Sequence, residues 1–119
     1  MNLNELTKEQ KKELARNIDT PPEILSVLAR DKNFYVLHGV AYNPNTPPET
    51  LTLLASNEAY YLRCWVANNS NTPLETLMLL ATDEYYLVRC NVARNPNTPQ
   101  YVKDYLIARN FMENYDKPT

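Results

Sequence analysis

The five residues Asn43-Pro44-Asn45-Thr46-Pro47 decide how this chain reads. They return as Asn17-Ile18-Asp19-Thr20-Pro21, Asn69-Ser70-Asn71-Thr72-Pro73 and Asn95-Pro96-Asn97-Thr98-Pro99. The leading asparagine thus falls at 17, 43, 69 and 95, a constant step of 26 residues. A period kept without insertion or deletion marks a stack of repeated units. Within each copy the Thr-Pro pair reads as a helix start. Thr20, Thr46, Thr72 and Thr98 are expected N-caps, their hydroxyls accepting from otherwise orphaned amides. Proline suits the first helical position. Glu23, Glu49 and Glu75, three residues further on, are expected to complete capping boxes. The Asn-x-Asn/Asp segment before them supplies residues that bond locally and tolerate sharp turns. Each copy therefore ends one helix, turns, and begins the next.

Working outward, a first helix is expected over about 21–30, with Ile24, Leu25, Leu28 and Ala29 on one apolar stripe. Asp31-Lys32-Asn33 breaks it, and a second helix follows over 34–42 with Val36, Val40 and Ala41 inward. The next unit repeats this with Leu51, Leu54 and Ala55, then Leu62, Val66 and Ala67. The third uses Leu77, Leu80 and Ala81, then Val88, Val92 and Ala93. Helices of about ten residues do not persist alone in water, so stacking must hold them. Ahead of the first unit, Thr7-Lys8-Glu9-Gln10 reads as a capping box opening a charged helix to Arg16. Its end, Leu14-Ala15-Arg16-Asn17, matches Val40-Ala41-Tyr42-Asn43, which makes residues 1–16 the second half of a degenerate unit with the polar outer face of a terminal cap. The fourth unit departs: Lys103 stands in the column of Leu25, Leu51 and Leu77, although Val102, Tyr105 and Leu106 keep an apolar stripe. Residues 111–119 are polar and aperiodic. The expectation is one all-α domain over 1–119: a solenoid of short helix pairs with a cap at 1–16, units at 17–42, 43–68 and 69–94, and a closing cap and tail at 95–119.

Composition agrees with capped helices, with a single glycine and nine prolines in 119 residues. A net charge of −2 and a pI near 5.4 exert no global pull on nucleic acid or anionic membrane. No apolar run approaches 18 residues and the start lacks a signal-peptide pattern, so a soluble cytoplasmic protein with no membrane partner is expected. The two cysteines then read as reduced thiols.

The succession Asn-x-Asn-Thr-Pro, Leu-x-x-Leu-Ala, an acidic break, an aromatic, Val-Arg and Val-Ala-x-Asn resembles the leucine-rich repeat variant family. Here it is carried by residues 69–73, Leu77 to Ala81, Asp83, Tyr86, Val88-Arg89 and Val92-Ala93, and the likeness extends over about residues 14–108. What the resemblance implies is a right-handed, all-helical solenoid related to HEAT-like repeats. The cysteine-rich segment with which some members hold an iron–sulfur cluster has no counterpart here, and no cofactor is expected.

Cys64 and Cys90 share a column with His38, which raises the question of a metal. Equivalent places in neighbouring units lie roughly 8–10 Å apart. Zinc ligands stand about 2.3 Å from the ion and a disulfide needs α carbons within about 7 Å, so structural cysteines and no metal are expected. Catalysis finds no support either: one histidine, no phosphate loop and no nucleophile–base set. The uneven features are aromatic and basic. Phe34, Tyr60 and Tyr86 share a register and read as packing positions; Tyr35, Tyr61, Tyr85, Tyr42 and Trp65 are less constrained. Trp65 stands in a column with Gly39 and Asn91, the mark of a variable surface position. Arg63 and Arg89 share a column with Lys11, and Arg94 shares one with Arg16. Tyrosine, tryptophan and arginine are the types enriched in binding hot spots.

The leading expectation is therefore a non-enzymatic module, an adaptor or inhibitor, that binds another protein through its second helices, using Trp65, Arg63, Arg89, Arg94, Tyr35, Tyr61 and Tyr85. The rival is a nucleic-acid-binding HEAT-like protein using the same Arg/Tyr/Trp face, against which the acidic pI counts. A homodimer paired through end surfaces is a third reading.

Overall fold

The computed structural model describes residues 2–109 and is all-helical, with no strand among them. A 3₁₀ turn at Leu3–Glu5 precedes eight α helices. These are α1 (Lys8–Arg16), α2 (Pro22–Leu28), α3 (Phe34–Tyr42), α4 (Pro48–Leu54), α5 (Tyr60–Asn68), α6 (Leu74–Leu80), α7 (Tyr86–Arg94) and α8 (Gln100–Ala108). The helix starts keep the sequence period. The polar tail read at 111–119 lies outside the described residues.

Four nine-residue helices form a file in which α3 packs on α1, α5 on α3 and α7 on α5, and the fifth, α8, leans on α7. The seven-residue helices α2, α4 and α6 lean on the long helices beside them, and they approach one another less closely. The molecule extends 49 × 29 × 19 Å. Its core is the expected stripe: Leu25, Leu28, Val36, Val40, Leu51, Leu54, Leu62, Val66, Leu77, Leu80, Val88, Val92, Val102 and Leu106 are all buried. Gly39 is buried as well, contrary to the variable surface position expected for its column. A Cβ there would stand 2.7 Å from that of Ala15, so glycine is what lets α3 approach α1 this closely.

The Thr-Pro starts differ from expectation. Thr7 does cap α1, closing a box with Gln10. In the four repeated copies the N-cap is Pro21, Pro47, Pro73 or Pro99, and no side chain caps. Thr20, Thr46, Thr72 and Thr98 instead turn back and donate to the carbonyls of Leu14, Val40, Val66 and Val92 at 2.5–2.6 Å. The last turn of a helix leaves its carbonyls short of partners; Val40 O, Val66 O and Val92 O each take one amide, from Asn43, Asn69 and Asn95, and the threonine hydroxyl supplies a second donor. With the threonines so engaged, Glu23, Glu49 and Glu75 fall at the second helical position, outside any capping box.

The asparagines also do more than turn. Each leading Oδ1 accepts from the amide two residues on, as at Asn43 and Asn45. From Asn43 on, Nδ2 reaches into the preceding unit. Asn43 donates to Ala15 O and Asn17 O, both at 2.9 Å, Asn69 to Ala41 O and Asn43 O at 2.9 and 3.0 Å, and Asn95 to Ala67 O and Asn69 O at 2.8 and 3.0 Å. Asn43, Asn69 and Asn95 are buried, so this ladder is desolvated. Asn45, Asn71 and Asn97 make a second, outer rung to Ile18, Pro44 and Ser70.

Candidate functional site

The exposed side of α3, α5 and α7 carries a continuous path of rings. Phe34 and Tyr60 open α3 and α5, where the apolar side of each ring rests on the core. Phe34 meets Tyr61 edge-on, with centroids 4.6 Å apart and planes at 89°, and Tyr60 stacks on Tyr85 at 4.7 Å and 14°. Tyr35 packs on Phe34 at 5.4 Å beneath the Lys12 ammonium. Offset stacks and edge contacts are the favoured arrangements of ring quadrupoles, so the tyrosines are held in place while remaining open to solvent. Tyr35 is 62% exposed and Tyr61 and Tyr85 are each 44% exposed. The last member of the expected packing register, Tyr86, is itself exposed.

Trp65 is half-buried, not the plain surface residue its column implied. It stands perpendicular to both His38 and Tyr42, each 5.0 Å away. Phe34 links this cluster to the tyrosine path through His38. Burial and the nearby Arg16 charge hold the His38 imidazole below its ordinary pKa, so it is neutral at pH 7. Below Trp65 a groove of about 370 Å³ opens, bounded by Tyr42, Pro44, Ile18 and Pro96 with Asn68 and Ser70 at its polar edge.

The arginines divide. Arg63 leaves the contact set: it is 9% exposed and clamps Asp83 through Nε at 2.8 Å and Nη2 at 3.1 Å. Its Nη1 donates to the carbonyls of Asn57 and Glu58. The Asp83 hydrogen bond, against the cost of burial, raises its already high pKa. Geometry explains the role, because a planar guanidinium suits a two-point carboxylate contact between adjoining units. Lys11 repeats the link to Asp31 at 2.9 Å. Arg89 is half-buried and donates to the Asp83 carbonyl; Arg94, at the end of α7, is exposed. Of the residues expected to form a contact face, the structure thus gathers Tyr35, Tyr61, Tyr85 and Trp65, keeps Arg94 exposed at one end, and commits Arg63 to the interior.

Cys64 and Cys90 form no disulfide, and burial, the largest influence on Cys64, raises its thiol pKa. Among the described residues no group of three or more His, Cys, Asp or Glu side chains is placed to hold a metal ion. No described helix is long and apolar enough to cross a membrane. Compared with protein-family models, curated proteins and solved structures, the chain matches none.

Proposed function

We propose that the helix pairs stack as a right-handed α-solenoid of the leucine-rich repeat variant kind. On this reading the chain is a non-enzymatic adaptor or inhibitor that binds another protein through the ring-bearing side of α3, α5 and α7. The observation that carries this reading is the aromatic path ending at the Trp65 groove. The rings are large, exposed and already fixed by one another, so a partner gains contact area while little side-chain freedom is lost. On this reading the closer packing of α1, α3, α5 and α7 favours their side as the inner curve, a surface that solenoids use for extended contacts. The nucleic-acid alternative is weaker for having lost Arg63 to Asp83.

A tagged chain is used to capture partners from native lysate with and without nuclease, alongside Trp65→Ala. A stoichiometric protein that survives nuclease and is lost on Trp65→Ala, with circular dichroism unchanged, is the expected result. Capture that requires nucleic acid overturns it.

A further inference from the structure

The helices that follow the Thr-Pro pairs, α2, α4, α6 and α8, carry a second regular feature. Val27, Leu53, Leu79 and Tyr105 take one place in successive units, and they are 55%, 43%, 64% and 44% exposed. Single exposed apolar residues are ordinary, but one per unit in register makes a stripe, and apolar stripes mark contact surfaces. One turn earlier stand Glu23, Glu49 and Glu75, all exposed, and these are the only charged residues in α2, α4 and α6. Arg30, exposed just after α2, and Lys103 and Asp104 in α8 lie at the two ends. Toward α8 the stripe widens, with Leu74, Met78 and Tyr101 exposed. An apolar pocket of about 250 Å³ opens there between Met78, Ala81, Tyr101, Val102 and Tyr105. The Arg109 guanidinium lies 5.9 Å over the Tyr105 ring, so a cation already rests at this end of the stripe.

We infer that the face of α2, α4, α6 and α8 docks a basic amphipathic helix from a partner protein, a site separate from the ring-bearing side. The stripe supplies the apolar contact, and the glutamate column sets the sign of the partner's charge. That same column repels nucleic acid and anionic lipid. Spacing suits a helix. α2, α4 and α6 touch through Ser26–Thr50 and Thr52–Thr76 at 2.8 Å, which puts them near the upper end of packed-helix spacing, about 10 Å. An α helix rises about 10.5 Å in seven residues. A helix laid along the stripe meets one unit per heptad. Its apolar residues recur every seventh position, lysines or arginines flank them toward the glutamates, and one bulky side chain enters the pocket beside Tyr101 and Tyr105.

The test pans a display library of random helical peptides, four heptads long, against the intact chain, and measures the enriched peptides by fluorescence anisotropy. Enrichment of basic peptides with an apolar heptad seam is expected. Leu79→Asp should weaken them by at least about tenfold, the scale of a lost hot spot. Glu49→Lys with Glu75→Lys should do likewise and bind a charge-swapped peptide instead, which a misfolded variant cannot do. Trp65→Ala should leave the affinity unchanged, which separates this site from the ring-bearing one. No enrichment, acidic winners, or binding indifferent to Leu53→Asp and Leu79→Asp overturns the inference. So does a dimer that Leu79→Asp dissociates, or sedimentation with phosphatidylcholine vesicles that the same change abolishes, since either assigns the stripe to a second copy or a membrane.

Discussion

Asn69→Ala removes one rung of the ladder in the middle of the chain. The side chain makes three hydrogen bonds, from Nδ2 to Ala41 O and Asn43 O and to Oδ1 from the Asn71 amide at 2.9 Å. At a net of about 1 kcal/mol each, their loss costs about 3 kcal/mol. The two carbonyls are not equal. Asn43 O keeps the Thr46 amide, whereas Ala41 O lies in the last turn of α3, which ends before offering it an amide. Leaving that buried acceptor bare holds the cost at about 3 kcal/mol or slightly more. Against a total of about 5–15 kcal/mol for an ordinary domain, this is a large fraction. Asn17→Ala is the internal control. Asn17 is exposed, heads the first copy, and its side chain accepts from the Asp19 amide, so its loss should cost less than about 1 kcal/mol. Urea unfolding followed by far-ultraviolet circular dichroism measures both. If Asn69→Ala falls within about 1 kcal/mol of Asn17→Ala, the ladder is not what ties unit to unit. Asn69→Asp sharpens the test: it keeps the acceptor but faces two carbonyls with a carboxylate, and should cost more than alanine at neutral pH.

Three further outcomes follow from the same geometry. Gly39→Ala should lower the melting temperature, because a Cβ 2.7 Å from that of Ala15 costs about 1–3 kcal/mol in overpacking and outweighs roughly 1 kcal/mol of helix preference; Ala15→Gly in the same chain should restore it. Thr46→Val should lose about 1 kcal/mol in urea unfolding, the net worth of one hydrogen bond, since it removes the 2.6 Å bond to Val40 O and leaves that carbonyl with the Asn43 amide alone. Burial alone would raise the Asp31 carboxyl, but the Asn33 amide and the Lys11 ammonium outweigh it and hold the pKa below its usual value. A depressed carboxyl stabilises the fold above the unfolded pKa of about 3.9 and ceases to do so as pH falls through the lower folded value. The urea midpoint of the wild type should therefore exceed that of Asp31→Asn by a constant margin above about pH 4, and the margin should close as the pH drops further.

The period and the apolar stripes made the eight helices legible, because burial on one side of a helix imposes a spacing that the sequence must keep. What lay hidden were interactions between units, and two of them leave marks within the chain itself. The ladder positions 43, 69 and 95 are Asn and never Asp, although either residue serves a turn. Only the amide can donate to the unit before. The outer rung makes the same point: Asp19 stands in the first copy, while Asn45, Asn71 and Asn97 follow and donate backward. A pairing at twenty residues' separation was equally readable, since Lys11 meets Asp31 and Arg63 meets Asp83, and where Leu37 interrupts the basic column its opposite number is Asn57. At Leu37 and Asn57 charge is absent from both sides, whereas Arg89 stands opposite Arg109 and turns to the Asp83 carbonyl instead. The threonines misled for a different reason. An N-cap and a hydroxyl turned back to the previous helix demand the same residue before proline, and only the placement of the Val40 carbonyl beside Thr46 separates them. Surfaces obey no such pairing. The glutamates, outside any capping box, still face the positive end of their own helices from the first turn, but that task fixes neither Val27, Leu53 and Leu79 beside them nor the exposure of those apolar residues.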